Sequence, residues 1–283
     1  MPDSLPATQT DKQEADKVNF LIGGKHGSNM DTMIVAQVDT VSKTVKMISI
    51  PRDLFMDERK LNSYSIDQIK KYLGVVTGLH IDHHMIIDMY AYIEVVDSLG
   101  GVDVYLKEPV VDPTYRTVDN GIEGTLNYQV GWHHFSGVQS LRIARSRHTT
   151  SDFVRAERQQ EILKALKKKI AELNVTDAAQ ALKIANTILT KLDTDMSLKD
   201  IMTYELRFKN FEMEAKGGLS TGNVLTSEMH VSAKAQAAAA AGCPKAEEGA
   251  PPIPCATGKA QYILKPAKDW NAVRWYVSEL LKE

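Results

Sequence analysis

Thr32-Met-Ile-Val-Ala-Gln-Val-Asp39, Thr40-Val-Ser-Lys43 and Thr44-Val-Lys-Met-Ile-Ser-Ile50-Pro51-Arg52-Asp53 form the stretch that decides the fold of this chain. The two apolar runs are β-rich, and the connection Thr40–Lys43 is short enough for an antiparallel hairpin. Pro51 has no N–H to continue a ladder, so it ends the second run and leaves Arg52 and Asp53 at its C-terminal edge. Upstream, Val18–Gly23 reads as a short apolar strand that runs into a glycine-rich turn. Downstream, His83–Asp88, Val102–Leu106, Phe211–Glu214 and Gln261–Leu264 read as further strands.

Helical patterns fall between them, over Asp67–Leu73, Tyr90–Leu99, Ser136–Ala144, Asp152–Leu173, Asp177–Leu192, Leu198–Phe208 and Asp269–Leu281. Pro109–Gly131 reads as loop, being rich in Asp, Pro, Gly and Asn. Strands interleaved with helices predict a layered α/β sandwich around a central mixed sheet. The expected organisation is a polar linker over 1–17, one domain over 18–283, and an irregular insertion over 217–258.

With 283 residues the chain can bury a substantial core, and 43% hydrophobic with 25% charged residues is the balance of a soluble globular protein. The net charge of −2 comes with no basic domain and no helix-turn-helix signal, which argues against nucleic acid as a partner. No apolar run approaches the length of a bilayer span, and Met1–Lys17 carries no apolar signal region. Cys243 and Cys255 enclose a segment poor in core-forming residues. A disulfide between them is expected to supply order its side chains do not, about 3 kcal/mol for a loop of this size, and implies an oxidising, extracytoplasmic setting.

Charge is concentrated in Arg142–Gln160, which holds five arginines and a histidine. Arginine presents a rigid fork of donors matched to carboxylate and phosphate, so several converging forks point to a multiply charged oxyanion. Arg145 and Arg147 lie two apart and share a side if that segment is extended. Thr149–Asp152 reads as a helix start with a short polar side chain for the N-cap, and the helix carries Asp152, Arg155, Arg158 and Gln159 on one face near its first turns. The N–H groups of a helix start favour anions, so the block reads as a phosphate or pyrophosphate clamp.

These segments resemble the LytR-CpsA-Psr family of bacterial cell-envelope proteins. Met30-Asp31-Thr32-Met33, Ser49-Ile50-Pro51-Arg52-Asp53, Gly100-Gly101-Val102-Asp103-Val104 and the arginine block carry the resemblance, together with the opening strand Asn19–Gly23. It is continuous from Val18 to Ile170, and the strand and helix from Gln261 fit the family's C-terminal end. The resemblance implies a three-layer α/β/α sandwich, held to the membrane by an anchor absent from this chain, with its catalytic domain outside. It implies a phosphotransferase that moves a glycopolymer from a polyprenyl-pyrophosphate carrier to peptidoglycan through a phosphodiester. A polyprenyl-pyrophosphate hydrolase and a non-catalytic lipid- or glycan-binding module remain the alternatives.

Carried over by position, the pyrophosphate-binding residues are Arg52, Lys60, Arg145, Arg147, Arg155 and Gln159, with Arg158 as a supporting charge. Of these, Arg52, Arg145 and Arg147 are expected in the catalytic group with Asp31, which also resembles the carboxylate that holds Mg²⁺ (or Mn²⁺). Asp53 and Asp152 are expected to orient arginines. Charge neutralisation on non-bridging and leaving oxygens is what attack on phosphorus requires, and an aspartate can take the incoming hydroxyl's proton.

One departure stands out. The loop Gly23–Met30 holds no carboxylate before Asp31 where many family members have a second one, and Lys25 and His26 are not hard-metal ligands. His80, His83 and His84 are read as packing or surface residues rather than a zinc site, because adjacent strand residues face opposite ways.

Overall fold

The computed structural model describes residues 16–119, 121–146, 152–172, 186, 188–231 and 260–282. The hairpin forms as its composition demands. β1 (Lys17–His26), β2 (Asn29–Asp39) and β3 (Thr44–Ile50) make an antiparallel meander, with Asp39 opposite Thr44 and Met33 opposite Ile50 across β2 and β3. A small ribbon of β4 (Phe55–Met56) and β5 (Arg59–Lys60) follows, then α1 (Ile66–Thr77), β6 (His83–Asp88) and α2 (Met89–Ser98). β7 (Val102–Leu106) pairs with β10 (Gly131–Phe135), and between them β8 (Val110–Asp119) pairs with β9 (Ile122–Tyr128). α3 (Gly137–Arg145) and α4 (Asp152–Ala171) carry the arginine block. The rest is β11 (Leu192–Thr194), α5 (Leu198–Phe208), β12 (Glu212–Gly218), β13 (Leu225–His230), β14 (Gln261–Pro266) and α6 (Trp270–Lys282).

The central sheet runs β11-β6-β1-β2-β3-β12. β6 lies parallel to β1 and β12 parallel to β3, while the other neighbours are antiparallel, so the sheet is mixed. Alternation along β2 explains the three layers. Met33 and Val35 enter one core with Leu73 and Val76 of α1 and Val273 and Val277 of α6. Ile34, Ala36 and Val38 enter the opposite core with Phe208 of α5 and Leu163 of α4. A strand buried on both faces reads as a continuous apolar run, and each such side chain removed from water contributes about 1.5–3 kcal/mol. A third cluster, including Val104, Phe135, Ile143 and Ile162, joins the β7–β10 ribbon to α3 and α4. Ser65 and Ser136 cap α1 and α3 in reciprocal boxes with Gln68 and Gln139.

Four expectations change. β1 does not turn at Gly23 but continues to His26, with a register shift between Gly24 and Lys25. Gly23 is there for close packing, since a Cβ would lie 2.7 Å from Met30 Sδ, and the turn falls at Gly27, whose φ is +60°. The stretch read as loop over Pro109–Gly131 is largely the β8–β9 hairpin. Pro113 is tolerated because it sits in the irregularity between Asp112 and Arg116, where no ladder N–H is needed. The expected insertion begins with order, because β12 extends to Gly218 and β13 pairs with β14. Leu192 opens β11 instead of closing a helix.

The Cys243–Cys255 pairing, the N-cap at Thr149–Ser151, most of the helix expected over 177–192 and most of the 1–17 linker lie outside the described residues. Among the described residues, no helix is long and apolar enough to cross a membrane.

Candidate functional site

A cavity of about 140 Å³ opens where the C-terminal half of β1, the start of β2, the end of β6, α2, α3 and α4 meet. Register and helical spacing build its wall. Ile22 and Ile34 are cross-strand partners. Leu141, Ala144 and Arg145 share one face of α3, and Gln159, Ile162 and Leu163 share one face of α4. Ile87 and Tyr92 close the apolar side. Burial pushes the Tyr92 hydroxyl up to about 12, against a smaller opposite effect of its hydrogen bond to Ser140 Oγ at 2.9 Å. Tyr92 is therefore a neutral, satisfied wall at any working pH.

The cavity's other end is polar, with Lys25, His26, Asp31, Arg145 and Gln159. Asp31 and Arg52 meet because the β2–β3 register, carried two residues past Met33 and Ile50, sets them opposite. Arg52 Nη1 donates directly to Asp31 Oδ1, and both side chains are about one-third exposed. From Arg52 a line of alternating charge continues: Nε lies 3.7 Å from Asp53 Oδ2, and Asp53 Oδ1 accepts from Lys60 Nζ at 2.7 Å. Asp53 thus sits between Arg52, an arginine it is expected to orient, and Lys60. Lys25 Nζ is tied to Asp193 at 3.0 Å.

Arg145 is the last helical residue of α3 rather than part of an extended segment. It is exposed, its Nη1 lies 3.7 Å from Met89 Sδ, and it makes no ion pair among the described residues. A guanidinium over an apolar cavity, with no ion pair among the described residues, has the donor geometry to receive an anion. Arg147 lies outside the described residues, as does the side chain of Asp152. Arg155 lies near the start of α4, one turn before Gln159.

Arg158 and Gln159 do different work from their neighbours. Arg158 is only 6% exposed, does not line the cavity, and donates Nη1 to Ile143 O and, at 3.4 Å, to Ser146 O. Gln159 lines the cavity and donates Nε2 to Ala144 O at 3.0 Å. Together they satisfy carbonyls at the end of α3 that its own helix leaves open. Burial lowers the Arg158 pKa from its ordinary value, and the charge of Arg155 adds to the effect.

Sequence reasoning missed three features. Gln160 is fully buried and its Nε2 reaches Met47 O, Ser49 Oγ and Gly217 O, tying α4 to the β3–β12 edge. Asp112 and Asp119 were hidden in a supposed loop, yet they bond Ser146 Oγ and Arg142 Nη1. The cavity wall had no signal of its own, because lining residues and core residues share one apolar pattern.

His83 and His84, expected on opposite sides, both reach Asp195, at 3.5 and 3.3 Å. Among the described residues no group of three or more His, Cys, Asp or Glu is placed to hold a metal ion. Among the described residues, Asp31 is the one carboxylate lining the cavity. That donor set does not form a metal cage alone, but it suits a hard cation that also takes phosphate oxygens as ligands.

Comparison with known proteins gives three results. The model of the LytR_cpsA_psr family matches residues 3–233. The polyisoprenyl-teichoic acid–peptidoglycan teichoic acid transferase TagT of Bacillus subtilis is 27% identical over 179 residues, 60% of this chain and 54% of that protein. TagU of Halalkalibacterium halodurans, described in the same words, is 28% identical over 224 residues, 70% of this chain and 68% of that one. The chain spans about half the length of the first relatives it matches. The X-ray structure of the Lin1025 protein from Listeria innocua superposes with a TM-score of 0.67 at 20% identity, covering 94% of this chain and 98% of that one. The fold is shared.

Proposed function

Since this chain belongs to the LytR_cpsA_psr family, we propose that it transfers a glycopolymer from a polyprenyl-pyrophosphate carrier to a peptidoglycan hydroxyl as a phosphodiester. The observation that carries the reading is a single cavity, apolar along its wall, with the exposed Arg145 guanidinium and Asp31 at its polar end. An isoprenoid chain fits the wall formed by Ile22, Ile34, Leu141 and Ile162, and a pyrophosphate fits the mouth. The named activity of TagT and TagU, teichoic acid transfer to peptidoglycan, supports the same reading.

Chemically, the acceptor oxygen forms a bond to the phosphorus nearest the glycan, and the bond from that phosphorus to the bridging oxygen breaks. Polyprenyl phosphate leaves. Arg145 neutralises charge on the phosphate oxygens, and Arg52 and Lys60 add positive charge along the line anchored by Asp53. Asp31, the cavity's carboxylate, accepts the proton of the incoming hydroxyl. Arg147 and Arg155 complete the clamp in this proposal, with Asp152 as an orienting carboxylate. Asp31 is also the protein group that would hold Mg²⁺ (or Mn²⁺), which adds charge neutralisation when bound. The setting that goes with these substrates is extracytoplasmic, at a membrane.

Binding tests the reading. Polyprenyl pyrophosphate is expected to raise the melting temperature at concentrations where inorganic pyrophosphate and neutral polyprenol alone do not. Equal response to polyprenol and polyprenyl pyrophosphate would remove the pyrophosphate mouth from the account.

A further inference from the structure

Ser146 lies one residue beyond Arg145, and each of its polar groups is held. Its N–H donates to Arg142 O at 3.0 Å, its hydroxyl to Asp112 Oδ2 at 2.9 Å, and its carbonyl accepts from Arg158 Nη1 at 3.4 Å. Ser146 is 4% exposed and Asp112 5%. A carboxylate so far from water is strongly unfavourable unless hydrogen bonds satisfy it. Here Oδ1 accepts from Thr114 N, Thr114 Oγ1 and Tyr115 N at 3.1, 2.7 and 3.1 Å, and Oδ2 accepts from Ser146. The irregularity between Asp112 and Arg116 in β8 turns the carboxylate inward. Further along the same strand, Asp119 takes both of its oxygens to Arg142 Nη1 at 2.7 and 2.8 Å. The hairpin therefore grips α3 at two points, three residues before Arg145 and one residue after it.

We infer that Asp112 and Ser146 are positioning residues that aim Arg145 over the mouth of the cavity. The last turn of a helix is where backbone order falls off, and a guanidinium on it gains specificity for an anion only if that turn is fixed. This inference rests on the pyrophosphate reading above.

The test measures affinity for polyprenyl pyrophosphate and for neutral polyprenol, with the melting temperature, in wild type, Ser146→Ala and Asp112→Asn. Ser146→Ala removes the hydroxyl, and the Asn amide nitrogen cannot accept its proton. Each is expected to weaken pyrophosphate-lipid binding about tenfold and leave polyprenol binding within twofold, and Ser146→Thr is expected to restore it. Parallel weakening of both ligands, or unchanged pyrophosphate-lipid affinity in both variants, overturns the inference. Wild-type protein that binds polyprenol and polyprenyl pyrophosphate alike overturns the proposed function instead, and the wild-type arm alone reports it.

Discussion

Arg158 donates Nη1 to the carbonyl of Ile143, while Arg145, in the same arginine block, projects to the cavity mouth without an ion pair among the described residues. One arginine holds the end of a helix, and the other is the one proposed to receive the ligand.

That division predicts opposite phenotypes. Arg158→Ala leaves α3 carbonyls buried and unbonded, so it costs about 2–3 kcal/mol of stability in urea unfolding. Arg145→Ala stays within about 0.5 kcal/mol of wild type. Its binding of polyprenyl pyrophosphate weakens by about 1.5–3 kcal/mol, roughly tenfold to a hundredfold.

Gln160→Ala is expected to destabilise by about 1–3 kcal/mol, since Met47 O, Ser49 Oγ and Gly217 O lose their shared donor. Denaturant unfolding checks it, and a change below 0.5 kcal/mol, about the noise of a surface substitution, would show that α4 is held to the sheet by other contacts.

The pH dependence of stability has a definite sign at Asp195. Burial raises this carboxyl's pKa, but the His84 backbone N–H and the Lys70 ammonium outweigh it and bring it down to about 2 from 3.8. A folded pKa below the unfolded one gives stability that is present above about pH 4 and lost as pH falls toward 2. The side chain is 33% exposed, and after solvent screening the contribution is about 1 kcal/mol. Asp195→Asn should melt about 2–4 °C below wild type at neutral pH. The gap should close as both are taken toward pH 2, and a gap that widens there would refute the assignment.

Ala144→Phe places a ring in the cavity from an α3 position that lines it. Calorimetry should show loss of polyprenyl-phosphate binding with retained folding, and retained binding would place the lipid elsewhere.

The sequence shows the sheet and the chemistry more clearly than it shows the mouth's architecture. Val35 and Ile48 are legible as strand because apolar, β-branched runs have few other uses, and the short link fixes their pairing. Asp31 and Arg52 are legible as a pair once that register is known. The resemblance sets Arg158 apart as a supporting charge, but the residues do not show what it supports, because only the packing of α4 under α3 brings its guanidinium to the Ile143 carbonyl. Asp112 is hidden for a different reason. Its neighbours Pro113 and Asp119 carry turn chemistry, and a two-stranded ribbon with a register shift has no long alternating run to betray it. Gly23 misleads in the opposite direction, being a glycine required by Met30 rather than by a turn.

Transfer itself is measured by incubating the protein with a synthetic polyprenyl-pyrophosphate-linked glycan and peptidoglycan oligomers, with and without Mg²⁺, beside Arg145→Ala. Wild type should give a glycan–phosphate–peptidoglycan product with release of polyprenyl phosphate, and the variant at least tenfold less product. Tight lipid binding with no acceptor-linked product under any metal condition would contradict the transferase reading, leaving a carrier-binding protein, and release of glycan phosphate to water regardless of acceptor would leave a hydrolase.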